Sequence, residues 1–207
     1  MEGNLDPLLQ PIEFNKILAV EGQDEENFFG ALFRHIGILN IDIRQVGGKN
    51  QFPRKLPVLK VATGFNNVTH LAVVRDRNSD NAFQSIVNIL KRMDLTPPDE
   101  HGGFSSGKPK VGVFIMPGET IGGTMLEDLC LRTVREDDPA MKCVREFTSC
   151  ISELENPPKN ISKAKVQTFL AAQPEIVNSV GLGAEKNYWD FESSVLDELK
   201  QFLGNLR

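Results

Sequence analysis

The segment Ile17-Leu18-Ala19-Val20 constrains this chain more than any other. It is apolar throughout, with no polar alternation, and so suits a strand covered on both faces. Glu21 and Gly22 follow at once. Gln23-Asp24-Glu25 then leads into Phe28, Phe29, Leu32, Phe33 and Ile36, which fall on one face of a helix. A buried strand, a sharp turn at Gly22 and an amphipathic helix make the opening of a parallel α/β unit. Asp24 is placed to cap the helix. Glu21 stands at the carboxyl end of a central strand, where open α/β sheets carry their sites.

Leu71-Ala72-Val73-Val74 repeats the pattern and runs into Arg75-Asp76-Arg77-Asn78-Ser79-Asp80. If the two strands are neighbours, Glu21 and Asp76 converge. Converging carboxylates repel one another unless a cation lies between them, and hard oxygen ligands suit Mg²⁺ or Mn²⁺. Asp76, Asn78 and Asp80 share the spacing of a calcium loop, but the glycine and terminal glutamate of an EF-hand are absent. Glu127 and Asp128 follow Gly122-Gly123-Thr124, where Thr124 and Glu127 also have capping-box spacing. Asp24 and Glu25 equally suit the first turn of a helix because of its dipole.

The ordered set VEGQDEENFF, VVRDRNSD, FIMPGETIGGTMLEDL and GLGAEKNYWDF resembles the Toprim domains of topoisomerases, primases, the overcoming-lysogenization-defect (OLD) nucleases and the ribonuclease that matures 5S ribosomal RNA. It looks most like small stand-alone Toprim-like proteins of prokaryotes, over most of the chain. The resemblance implies metal-dependent phosphotransfer on nucleic acid, of the nuclease type. The implied metal set is Glu21, Glu25, Asp76, Asn78, Asp80 and Glu127 around Mg²⁺ or Mn²⁺. Glu21 doubles as the general base, and Lys163 or Lys165 stabilises the developing phosphate charge. Toprim proteins usually have Asp-x-Asp where this chain has Asp76-Arg77-Asn78. Asn78 keeps an oxygen ligand but loses a charge, which weakens metal binding. That departure, with the acidic net charge, leaves a second reading open: a non-catalytic Toprim-like module that binds a nucleotide, a nucleic-acid end or a partner protein. A phospho-acceptor receiver domain also places acids at strand ends. It needs a late lysine at a strand end, however, and Lys163 and Lys165 precede helical sequence.

Composition sets the outer limits. A chain of 207 residues, 40% hydrophobic, suffices for one α/β domain with its own core. A net charge of −5 is not the footprint of bulk phosphate attraction. Locally, Lys49, Arg54, Lys55 and Lys60 make one basic stretch, and Lys108 and Lys110 flank another loop. DNA or RNA, and a partner protein, are the expected partners. No run approaches the roughly 20 apolar residues of a membrane span. The first residues lack a signal-peptide pattern, so a cytoplasmic location is expected. The three cysteines, Cys130, Cys143 and Cys150, and the three histidines show no zinc spacing. Cys143 and Cys150 share a helix face and are expected to be buried. The sequence leaves the oligomeric state open.

Strands are predicted at Lys16–Val20, Ile41–Val46, Thr69–Arg75 and Val111–Met116. Helices are predicted over about Glu25–Ile36 and Asn81–Met93, from Gly122-Gly123-Thr124 onward, and over about Pro139–Leu154, Ser162–Ala172 and Phe191–Leu203. Gly181-Leu182-Gly183 reads as a loop, Thr96–Pro109 as a mobile loop, and Trp189 as an anchor for the last helix. The expected fold is a mostly parallel sheet of about four strands with helices on both faces. Residues 1–137 form the Toprim-like α/β core, and 138–207 a helical extension packed on it as one globular unit.

Overall fold

Ile17, Leu18, Ala19 and Val20 have no solvent exposure. In the computed structural model they belong to β1 (Lys16–Val20), an interior strand of a four-stranded parallel sheet. The structure describes residues 6–77 and 81–207. After β1 come α1 (Gln23–Ile36), β2 (Asp42–Gln45), α2 (Phe52–Lys55), β3 (His70–Asp76), α3 (Ala82–Arg92) and β4 (Lys110–Met116). The chain then turns wholly helical, with α4 (Leu126–Thr133), α5 (Pro139–Ser152), α6 (Ile161–Ala171), α7 (Val180–Glu185) and α8 (Asp197–Gly204). This is the α/β architecture with C-terminal helices that the alternating pattern predicts.

The strand order is β2-β1-β3-β4, and every pairing is parallel. Ala19 lies opposite Arg44 on one side and Val73 on the other. The chain leaves β1 towards β2 and then crosses back to β3, so β1 and β3 meet where the strand order reverses. Open α/β sheets carry their crevice at that point.

Alternate side chains face opposite ways along each strand. Leu18, Val20, Ala72, Val74 and Phe114 pack with Phe28, Phe29 and Leu32 of α1 and with apolar residues of α4 to α8. Ile17, Ala19, Leu71, Val73 and Val113 pack on the other side with Phe52, Leu56, Ile86 and Leu90. Fully burying one such side chain contributes roughly 1.5–3 kcal/mol. Both layers therefore hold the sheet, and the C-terminal helices share a core with α1.

Several local features depart from the sequence reading. Helix α1 starts from Gly22, whose N–H donates to Glu25 Oε2 at 2.9 Å; Asp24 lies within the first turn and does not cap it. The helix ends at Gly37, which takes the left-handed φ of 68° that favours glycine. Thr124 and Glu127 form no capping box. Helix α4 begins after Met125 without a side-chain cap, and Asp128 Oδ2 accepts the Thr124 N–H at 2.8 Å. Gly181-Leu182-Gly183 lies inside α7, whose start is capped by Ser179 Oγ accepting the Leu182 N–H. The last predicted helix divides into a 3₁₀ turn at Ser194–Leu196 and then α8. Cys143 and Cys150 are exposed, because the buried stripe of α5 runs through Val144 and Ile151, one residue further round the helix.

Trp189 is an anchor as expected. It is 2% exposed, stacks on Phe169 with ring centroids 5.2 Å apart and donates its indole N–H to Val180 O at 2.9 Å. Among the described residues no helix is long and apolar enough to cross a membrane.

Candidate acidic site at the carboxyl edge of the sheet

Glu21 directly follows β1, and Asp76 ends β3, the adjacent strand. Both acids thus lie at the carboxyl edge where the strand order reverses. Asp76 is only 8% exposed, and its Oδ1 accepts the Leu126 N–H at 3.1 Å. Burial, reinforced by the charges of Glu25, Glu21 and Glu127, holds its carboxyl well above the usual range. Burial also raises Glu21, against the Lys49 backbone N–H and the charges of Arg75, Lys49 and Lys163. Its Oε2 is buried and has no hydrogen-bond partner among the described residues. Glu25 is raised by burial first and then by Glu21. Four acids, from the end of β1, from α1, from β3 and from α4, thus share one electrostatic neighbourhood.

Besides Arg75 and Lys49, a lysine from a later helix answers them. Lys163 of α6 places Nζ 3.4 Å from Glu127 Oε1. The charge of Glu127 raises its pKa, with contributions from Asp76 and Glu25. Its side chain is 64% exposed while that of Glu127 is 12% exposed, so the cation reaches in from solvent to a carboxylate that stays inside.

Local hydrogen bonds assemble this edge. The Glu25 carboxylate closes back on Gly22 and draws the first turn of α1 onto the end of β1. Gly47 and Gly48 donate their N–H groups to Glu21 O at 3.0 and 2.8 Å, which ties the loop after β2 to the same point. The Arg77 N–H donates to Met116 O and Thr124 O, and its guanidinium to Gly118 O at 2.7 Å, which fixes the end of β3 to the loop before α4. Asp128 joins α4 to α6 by accepting from Ser162 Oγ, and so brings Lys163 to the acids. Cys130 lies fully buried on α4, its thiol pushed well up by burial and by the Glu127, Asp76, Asp24 and Glu25 charges. A thiol held protonated in this way is inert.

Among the predicted site residues, Glu21, Glu25, Asp76, Glu127 and Lys163 therefore come together. Lys165 does not. Two residues apart on a helix are on nearly opposite faces, and Lys165 makes no ion pair among the described residues. Asn78 and Asp80 lie outside the described residues. The sequence reading missed Arg75 and the position of Lys49. Arg75 sits over the Phe52 ring, 5.5 Å from its centroid, and donates to Ser85 Oγ at 3.2 Å, while its buried Nε has no partner among the described residues. An arginine immediately before a strand-end acid was the available signal. Nothing in Gly47-Gly48-Lys49 reveals that this loop folds back over β1.

Among the described residues, no three Asp, Glu, His or Cys side chains gather tightly enough to make a ready metal cage. Mg²⁺ does not require one: it commonly takes one or two carboxylates and keeps its waters.

The family model described as "Protein of unknown function (DUF3226)" matches residues 15–207, and the chain belongs to that family. A comparison with curated proteins finds no match. Among solved structures, a hypothetical protein from Pyrococcus horikoshii is similar with a TM-score of 0.58 at 17% identity, over 92% of this chain and 94% of that one. The C-terminal region of the Burkholderia pseudomallei OLD protein is similar with a TM-score of 0.47 at 18% identity, over 94% and 99% of the two chains. The corresponding region of the Xanthomonas campestris OLD protein gives 0.48 at 15% identity, over 94% and 96%. Identities this low speak to the fold alone.

Proposed function

We propose that this member of the DUF3226 family is a Toprim-like, Mg²⁺- or Mn²⁺-dependent phosphotransfer protein that acts on nucleic acid as a nuclease. The observation that carries the reading is Asp76: a buried carboxylate at a strand end, raised by burial and by three neighbouring acids. Together with the partnerless Oε2 of Glu21, this is a donor set suited to a hard divalent cation. Glu21 and Asp76 would hold the ion, with Glu25 and Glu127 close by and Asn78 and Asp80 as further candidates from the sequence. A bound ion of this kind polarises a phosphodiester and acidifies its water.

The chain's own residues would do the rest. Where Glu21 does not itself hold the ion, its carboxylate would serve as the general base that takes the proton of the attacking water. Lys163 is exposed enough to exchange Glu127 for a phosphate oxygen and to stabilise the negative charge that develops there.

The test is cleavage of labelled DNA and RNA by the purified protein with Mn²⁺ or Mg²⁺. Turnover that needs the metal and is lost in Glu21→Gln supports the nuclease. A second reading, a non-catalytic module that binds a nucleotide, a nucleic-acid end or a partner protein, is favoured by Asn78 standing where Toprim proteins carry a second acid and by the net charge of −5. Binding without turnover in the same assay would select it.

A further inference from the structure

The opposite, amino edge of the sheet carries a different chemistry. Lys16, His70 and Lys110 are register partners across β1, β3 and β4. Residues paired in this way in a parallel sheet point to the same face, so three basic side chains stand in a row. Burial first, and then the charges of Lys110 and Lys16, hold the His70 imidazole below its usual pKa and towards its neutral form. Lys16, Lys108 and Lys110 have no carboxylate partner among the described residues, although the chain has a net charge of −5 and acids to spare.

His70 and Lys110, but not Lys16, line a cleft of about 640 Å³ together with Lys108, Asn67, Phe65 and Leu95. Its one acid, Asp94, is paired with Lys60 at 3.3 Å. A hollow of about 370 Å³ continues the cleft past His70, Ser106 and Lys110. The volume of the main cleft falls within the roughly 300–1,000 Å³ of small-molecule sites. One wall is apolar, Phe65 and Leu95 being largely buried, and the other offers ammonium, amide and hydroxyl donors. β3 runs from His70 to Asp76, so this edge lies about 20 Å from the acidic one.

We propose that the amino edge of the sheet is a second binding site, for a small phosphorylated ligand of nucleotide size. The lysines take the phosphates, and the apolar wall takes the uncharged part of the ligand. An anion there gives Lys108 and Lys110 the counter-charge that no carboxylate of the described residues supplies. The site is independent of the activity proposed for the acids, because no residue is shared.

The three histidines supply the readout, since His35 pairs with Glu192 and His101 lies beside Glu198, both away from the cleft. Their ring resonances are followed by NMR at fixed pH, in EDTA so that metal at the acidic edge plays no part. ATP, inorganic phosphate and a single-stranded oligodeoxynucleotide are titrated separately. ATP should move the His70 signals saturably, leave His35 and His101 in place, and bind more tightly than phosphate. The double variant Lys108→Ala/Lys110→Ala alters exposed residues only. It should weaken ATP about tenfold or more with an unchanged spectrum elsewhere. The proposal is overturned if neither ATP nor phosphate moves His70, or if the double variant binds equally well. It is also overturned if only the oligonucleotide acts, which would make this edge a strand-binding face.

Discussion

Asp76 keeps its carboxylate beside three other acids, with one backbone N–H to accept from among the described residues. Asp76→Asn preserves the shape and an oxygen for the Leu126 N–H, and its amide can donate to the neighbouring carboxylates. It should raise the stability of the metal-free protein by about 1 kcal/mol or more, since it removes a buried, repelled charge. It should also abolish the thermal shift that Mn²⁺ produces in the wild type; melts of both proteins with and without Mn²⁺ check this. The same charges fix a pH dependence. Asp76, Glu21, Glu25 and Glu26 are all raised above ordinary values of 3.8 for Asp and 4.5 for Glu. Between those values and the raised ones, the folded chain holds more protons than the unfolded chain. Stability conferred by these groups is therefore fully present below the ordinary values and falls as pH rises through the raised ones. Asp6, lowered by its hydrogen bond to Lys55, acts in the opposite sense, so the comparison is made against Asp76→Asn. In EDTA, urea midpoints between about pH 4 and about pH 8 should fall more steeply for the wild type than for the variant. Glu21 and Asp76 were legible in the sequence because each ends an apolar run. Lys49 and Arg75 were not, because their approach to Glu21 depends on a loop folding back and on the pairing of β1 with β3.

At the scale of elements, legibility followed hydrophobic pattern. β1 and β3 each hold a run of four apolar residues, at 17–20 and 71–74, and the periodicity of α1 marks its buried face without ambiguity. Helix α7 was hidden because Gly181 and Gly183 disfavour a helix on intrinsic grounds. Packing overrides that preference: a Cβ on Gly181 would lie 2.6 Å from Asn27 Cβ and 2.7 Å from Asp24 O. Glycine there lets α7 meet the backbone of α1, the helix that carries Glu25. Gly181→Ala should cost about 1–3 kcal/mol by overpacking. Because the clash bears on the first turns of α1, it should also reduce the Mn²⁺-induced melting shift. The same pair of melts, with and without metal, reads both effects. Gly204→Ala, where nothing lies within reach of the added methyl, is the control and should leave both unchanged.

Across the whole molecule, the helices after residue 137 complete the layer that covers one face of the sheet. Phe169, Leu170, Val180, Trp189 and Phe202 share a cluster with Leu18, Val74 and Phe114. The parallel alternation of the first half made the sheet legible, whereas the destination of the later helices depends on which face of the sheet they cover. Shared burial of this kind predicts a single cooperative transition for sheet and helices together. The seating of Trp189 makes that expectation directly observable. It is the chain's one tryptophan, stacked on α6 and bonded to the start of α7. Its fluorescence is therefore an optical gauge of those helices alone: short-wavelength emission while they are docked, and a red shift when water reaches the indole. Far-UV circular dichroism reports the backbone of the entire chain. The two melting curves should superimpose, and an earlier red shift would mean that the helical layer can peel away while the sheet with its acidic edge stays folded.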